Sequence, residues 1–214
     1  MGIDYTKRPK GGVTAAPPSG PVSLTKRGET VNMVKGSSGA PVRLNLNWNQ
    51  RPAGGFFKRL APGIDLDLGC LWELRDGRRG VVQALGNMFG AIDEPPYVQL
   101  DKDDRSGRAT DGENLFVSGW HSADIKRLAV FAFIYEGVTR WSQADGVVTI
   151  HPPEGAPVTI ELDERGDGSP MCAVCVITGN TTGFTIERRV QYVSGHIELD
   201  QLFGWNLSWR AGRK

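Results

Sequence analysis

Hydrophobic and polar residues alternate with a period of two along much of this chain. Val42, Leu44, Leu46 and Trp48 alternate with Arg43, Asn45 and Asn47, the pattern of a strand with one buried face. Over Ile64–Leu74, residues Ile64, Leu66, Leu68, Cys70, Trp72 and Leu74 share one face, and Asp65, Asp67, Gly69, Leu71 and Glu73 share the other. Asp76-Gly77 is a hairpin signal, with Gly80–Leu85 as the return strand. Val22–Arg27 and Glu29–Val34 read as short strands about a Gly28 turn. Leu128–Tyr135 is apolar on both faces, as a central strand is. Asn114–Gly119, Val147–His151, Val158–Leu162, Met171–Thr178, Thr185–Val193 and Asn206–Arg210 are further strands. Gly86–Gln99 reads as irregular, because Pro95-Pro96 blocks regular pairing. Ser122 is placed to cap one helical turn over Ala123–Lys126, and Glu198–Phe203 reads as a short helix.

About ten or eleven short strands between turn signals, with no long amphipathic helix, predict an all-β fold. The expected architecture is a β-sandwich of two mostly antiparallel sheets with short helical turns. The 28 Gly and 13 Pro fit that turn-rich design. Residues 1–21 are rich in Pro, Gly, Lys and Thr, with little apolar surface to bury, and read as a disordered tail. Residues 22–214 read as a single domain, large enough for a proper core.

The formal net charge is +1, so nothing in the overall balance favours nucleic acid. No apolar run approaches the ~20 residues that span a bilayer. The start of the chain lacks a leader pattern. Three cysteines without a disulfide spacing point to a reducing cytoplasm. Nucleophile-elbow, phosphate-loop and dinucleotide motifs are absent, and His121, His151 and His196 are scattered. The expectation is a protein that is not an enzyme. Cys172 and Cys175 form a C-x-x-C, but residues three apart on a regular strand point to opposite faces, which favours structural burial. Trp48 and Trp72 read as core. The stretch Trp205–Arg210 is the best remaining surface for binding through aromatic and basic groups.

Carboxylates are where chemistry concentrates. Leu100–Glu113, LDKDDRSGRATDGE, carries Asp101, Asp103, Asp104, Asp111 and Glu113 against Lys102, Arg105 and Arg108. Its composition makes it a loop. Asp65 and Asp67 form a second acidic piece on one strand face, roughly 6.5–7 Å apart at the backbone. Two readings fit: solvated, salt-bridged surface, or a cation held between the pieces. An oxygen-only donor set without Cys or His favours calcium, which takes 6–8 oxygens at about 2.3–2.6 Å, over zinc; magnesium, which prefers few carboxylates and many waters, stays open. The loop is not an EF-hand: counted from Asp101, Ser106 stands where Gly is required and Gly112 where the bidentate acid belongs. A site would therefore be split between segments.

The pieces VSLTKRGETVNM, VRLNLNW, GIDLDLGCLWEL, LDKDDRSG…DGENL, MCAVCVITG and FGWNLSWRAGRK, in this order, resemble the tellurite-resistance and stress-response family of TerD and TerA. The C-terminal GW…W…GRK is closer to TerA. The resemblance covers nearly all of Val22–Lys214 and implies a cytoplasmic β-sandwich that binds calcium in acidic loops. Carried over by position, it implies Asp65 and Asp67 from the DLD pair, Asp103 and Asp104 from the segment Lys102–Gly107, and Asp111 and Glu113 from the closing acidic run. Arg108, Ala109 and Thr110 interrupt that run, which is often longer and more acidic in the family.

The expectation is thus a non-enzymatic, calcium-binding protein of a tellurite-resistance and general stress-response system. Its expected partners are other proteins of that system, with association at a membrane surface left open. Two alternatives use the same carboxylates: a metal-assisted hydrolase, and a calcium-dependent adaptor for membrane or protein surfaces.

Overall fold

The computed structural model describes residues 20–48, 64–101, 112–136, 141–162 and 168–210. All but two of the residues of the expected tail therefore lie outside the described residues. So do Asp103, Asp104 and Asp111.

The described chain forms two sheets. One has seven strands: β1 (Val22–Ser23), β11 (Val158–Glu161), β10 (Val147–His151), β3 (Val42–Asn47), β8 (Glu113–Val117), β7 (Val98–Leu100) and β6 (Gly90–Ala91), in that spatial order. The other has six: β2 (Thr30–Val34), β13 (Gly183–Val193), β12 (Met171–Asn180), β9 (Ile125–Glu136), β4 (Asp65–Leu74) and β5 (Arg79–Val82). Every pairing is antiparallel except that of β1 with β11. This is the expected all-β sandwich. Leu44, Leu46, Leu115, Val148, Ile150 and Ile160 of the first sheet share one buried cluster with Leu66, Leu68, Cys70, Leu128, Val130 and Ile186 of the second. Full burial of each such side chain contributes about 1.5–3 kcal/mol, so this cluster is the main source of cohesion.

The outer face of the six-stranded sheet is also covered. A helix, α1 (His196–Phe203), and the residues after it lie over it. Leu71, Ala129, Phe131, Phe133, Met171 and Ala173 form a second buried cluster there with Leu199 and Trp205. This explains why Leu128–Tyr135 is apolar on both faces: one face looks into the sandwich and the other beneath the cap.

Several sequence expectations need correction. Asn206–Arg210 is not a strand; it is irregular chain tied down by α1. Asp200 accepts from Asn206 N (2.8 Å), Leu207 N (2.8 Å) and Trp209 Nε1 (3.0 Å). Its carboxylate outbids any sheet edge for these donors. Residues 86–99 are not all irregular, since β6 lies within them before the prolines and the start of β7 after them. Val22–Arg27 is a strand only at Val22–Ser23, because Glu29 Oε2 accepts the Thr25 and Lys26 amides (2.6 and 2.8 Å) and turns the chain. Ser122 caps no helix: turns at residues 121–124 run directly into β9, and the Ser122 side chain is buried.

Candidate metal centre

Glu113 begins β8, where it lies opposite Leu46 of β3. The preceding residue is Gly112, with φ of +70°, and a Cβ there would lie 2.0 Å from the Leu46 carbonyl oxygen. Only glycine fits this re-entry of the acidic segment into the sheet. From there the Glu113 side chain crosses to the other sheet. Its Oε2 accepts the backbone N–H of Leu68 at 2.5 Å.

The acceptor is needed because β5 is short. It pairs with β4 only over Cys70–Glu73, so Asp65–Gly69 has no strand on that side. An amide left there without water or an acceptor would cost about 1–3 kcal/mol. Glu113 supplies the acceptor, and its charge is thereby brought to the strand that carries Asp65 and Asp67.

Asp67 is fully buried, which overturns the reading of this pair as solvated surface. Burying a carboxylate is costly unless a cation or several donors compensate. Asp65 is half-buried and lies opposite Glu136 of β9. Like charges directly opposite destabilise a sheet pair. Glu136 was not singled out from the sequence, because it becomes a neighbour of Asp65 only through the β4–β9 register, which skips a residue there. Asp101 stands at the other end of the acidic loop and accepts from Asn114 N (3.1 Å) and Asn114 Nδ2 (2.8 Å).

These groups offer oxygen donors only, the chemistry of a hard cation. Asp65, Asp67 and Glu113 are the candidates that the described structure brings to one end of the sandwich. Among the described residues, however, no group of three or more His, Cys, Asp or Glu side chains closes around a common point. The donor chemistry fits calcium, while the described residues alone do not make its full shell. Asp103, Asp104 and Asp111, which the sequence reading assigned to it, lie outside the described residues.

The other sequence candidates resolve into structure. Cys172 and Cys175 do not point to opposite faces. The register shifts between Ala173 and Cys175, and this bulge turns both thiols into the sandwich core. All three cysteines are buried, and none of them is in a disulfide. Burial pushes the Cys175 thiol up to about 12 and, with Cys175 nearby, pushes Cys70 higher still. Thiols so protonated are poor nucleophiles and poor ligands.

Trp141 and Trp205 are buried, so Trp205–Arg210 is not the open aromatic surface expected. Trp205 Nε1 donates to the Trp72 carbonyl (3.0 Å), and the Arg127 guanidinium lies 3.9 Å over its ring. Arg127 and Lys126 both pair with Glu73, at 2.5 and 2.7 Å. Burial works against ionisation of Glu73, but these two partners outweigh it and hold its pKa below the usual value. Trp120 is the exposed tryptophan, at 65%. His121 stacks on Tyr97 (3.8 Å between ring centres) and pairs with Asp124 at 2.8 Å, with no third ligand group among the described residues. No described helix is long and apolar enough to cross a membrane.

With this geometry in view, the chain compares as follows with known proteins. It is 41% identical over 198 residues, 90% of its length, to the tellurium resistance protein TerA of an Alcaligenes species. That alignment takes in 58% of the relative, so the chain spans a little over half the length of the curated protein it matches. Among solved structures, a homologue of the telluride resistance protein TerD from Streptomyces coelicolor A3(2) matches with a TM-score of 0.51 at 19% identity, over 75% of this chain and 94% of that one. A protein of unknown function matches with a TM-score of 0.54 at 14% identity, over the same shares. At these identities the structural likeness is one of fold. No known family profile matches the chain.

Proposed function

This chain is a relative of the tellurium resistance protein TerA, and on that premise we propose that it serves tellurite resistance as a calcium-binding protein rather than as an enzyme. One observation carries the reading. The Glu113 carboxylate, at the end of the acidic loop, is seated on the Leu68 amide beside buried Asp67. Two segments far apart in sequence thus bring negative charge to one end of the sandwich. Asp65, Asp67 and Glu113 would hold the ion from the sheet side, and Asp103, Asp104 and Asp111 from the loop side.

Bound calcium would neutralise these carboxylates and fix the loop against β4. The chain's own residues would supply position and charge and no nucleophile. As a ligand of the folded state, the ion would stabilise the fold by RT ln(1 + [L]/Kd). The protein would work in the cytoplasm with other proteins of the same stress-response system.

Calorimetric titration of the metal-stripped protein with calcium tests this, together with thermal melts in calcium and in chelator. Saturable heat and a higher melting temperature in calcium are the expected results. If neither appears, the calcium reading is lost. Growth of a deletion strain on tellurite, with and without the restored chain, tests the biological role separately.

A further inference from the structure

The outer face of the seven-stranded sheet carries polar side chains in register. On β10 and β3, Thr149 lies opposite Asn45 and His151 opposite Arg43. All four are half-exposed. Directly opposed residues have Cβ atoms about 4.5–5.5 Å apart, and neighbours two apart on a strand share a face about 6.5–7 Å apart. The four side chains therefore form a compact square. Each can donate hydrogen bonds, and none is a carboxylate.

Arg43 is positioned within this square. Its Nη1 donates to Asn114 Oδ1 at 3.2 Å, and Asn45 Nδ2 donates to the same oxygen at 3.0 Å and to the Glu113 carbonyl at 3.5 Å. Asn114 is itself clamped by both oxygens of Asp101. Arg78, Arg127 and Arg189, by contrast, are each paired with a carboxylate. Arg43 is held by a neutral amide, so its charge is aimed without being neutralised there. The nearest acids on this face are Asp101, turned to Asn114, and Glu161, which lies opposite Val147 at the far row. Burial, and next the Arg43 charge, hold the His151 pKa below the ordinary imidazole value. An anion between the two would reverse that second effect.

We propose that Arg43, His151 and Thr149, bordered by Asn45, form a binding site for a small oxyanion, of the class that includes tellurite, phosphate and sulfate. Arg43 supplies the charge and a planar fork of donors, His151 a ring N–H and Thr149 a hydroxyl, while Asn45 helps to hold Asn114 and through it Arg43. The site stands on this geometry alone; the choice of tellurite as first anion rests on the proposed role in tellurite resistance.

The test is an NMR titration of the metal-stripped full chain in chelator, following the ring of His151, assigned by its loss in His151→Gln. Tellurite, phosphate, sulfate and chloride are titrated at equal ionic strength. The expected result is a saturable shift of His151 with a raised pKa, and unchanged rings of His121 and His196. Arg43→Gln should weaken the apparent affinity about tenfold or more, the weight of one charge-assisted hydrogen bond. Arg43→Lys should recover only part of it. Far-ultraviolet circular dichroism checks that the variants stay folded. Saturation by phosphate or sulfate without tellurite supports the site and counts against tellurite as its ligand. Equal effects of chloride, which mean an adventitious ion only, overturn the proposal. So does an identical titration in Arg43→Gln. The absence of calcium throughout keeps this outcome separate from that of the calcium reading.

Discussion

Glu113 Oε2 and the Leu68 amide nitrogen are 2.5 Å apart across the two sheets of the sandwich. This bond joins the end of the acidic loop to the strand bearing Asp67. It makes Glu113 both a structural acceptor and a candidate ligand, and the two roles respond differently to substitution. Glu113→Ala leaves the Leu68 N–H without its acceptor and should cost about 1–3 kcal/mol in urea unfolding. Glu113→Gln keeps a carbonyl acceptor and should recover most of that stability, while still weakening calcium binding. Equal stability loss in both variants would show that the charge, not the acceptor, holds the strand.

Asp67 is buried beside this bond. Asp67→Asn removes its charge at nearly constant volume. In chelator the stability of the variant relative to the parent reads the net effect of burying that charge without the ion. With calcium at a hundredfold excess over Kd, the parent should gain about 2.7 kcal/mol and the variant little. Differential scanning calorimetry in the two conditions reads both effects. A parental gain in calcium that Asp67→Asn retains in full removes Asp67 from the ligand set.

Asp200 binds three donors from the residues that follow α1. Asp200→Ala should free those residues without dissolving the sandwich, since the main core does not include them. The expected cost is about 2–4 kcal/mol, as several hydrogen bonds to one charged acceptor are lost together. Hydrogen exchange should accelerate at residues 205–210 and on the covered face of β9, and less at β3 and β10. Uniform acceleration would mean that the cap and the sandwich unfold as one unit.

His196 sits under the cap, bonded to Gln83 Oε1 at 2.7 Å and ringed by Phe131, Phe133 and Trp209. Burial holds its pKa below the ordinary imidazole value. The unfolded chain therefore takes up this proton at a higher pH than the folded one. The contribution of His196 to stability is present above the unfolded value and is lost as the pH falls through the folded one. His196→Gln should flatten the pH dependence of stability just below pH 6.5. Urea midpoints measured across that window decide the matter, and an unchanged slope assigns it to other groups.

Cys70, Cys172 and Cys175 lie within the sandwich core. Their modification by a thiol reagent should proceed only through unfolding, at a rate that does not depend on reagent concentration once reagent is in excess. Mass spectrometry of the native protein should show no adduct on the time scale that labels the urea-unfolded chain completely. Rapid native labelling at Cys175 would contradict its burial.

How far the sequence could be read followed the range of the interactions involved. Val147–His151 was legible to the residue, because its alternation and its turn signals are local. The sandwich followed from many such strands, whereas the seat of Glu113 on the Leu68 amide depends on which strands face one another. The cap was not legible as such: Asn206–Arg210 has a strand-like pattern, and only the carboxylate of Asp200 draws its amides away from a sheet. The C-x-x-C argument failed for a related reason. A regular strand separates Cys172 from Cys175, but one bulge, set by pairing with β9 and β13, returns both to the same side. Glu136 and the square about Arg43 depend on which strands become neighbours, and that is not written in any single segment.

Period-two patterning, turn residues and the placing of acids along the chain are local properties, and they determined the all-β class, most strands and the two acidic pieces. The tertiary structure decided register, bulges and burial. It put Glu113 on the Leu68 amide, sealed Asp67 from solvent, and set Arg43 beside His151. These are outcomes of competition among distant backbone donors and acceptors, each of which must find a partner once water is excluded.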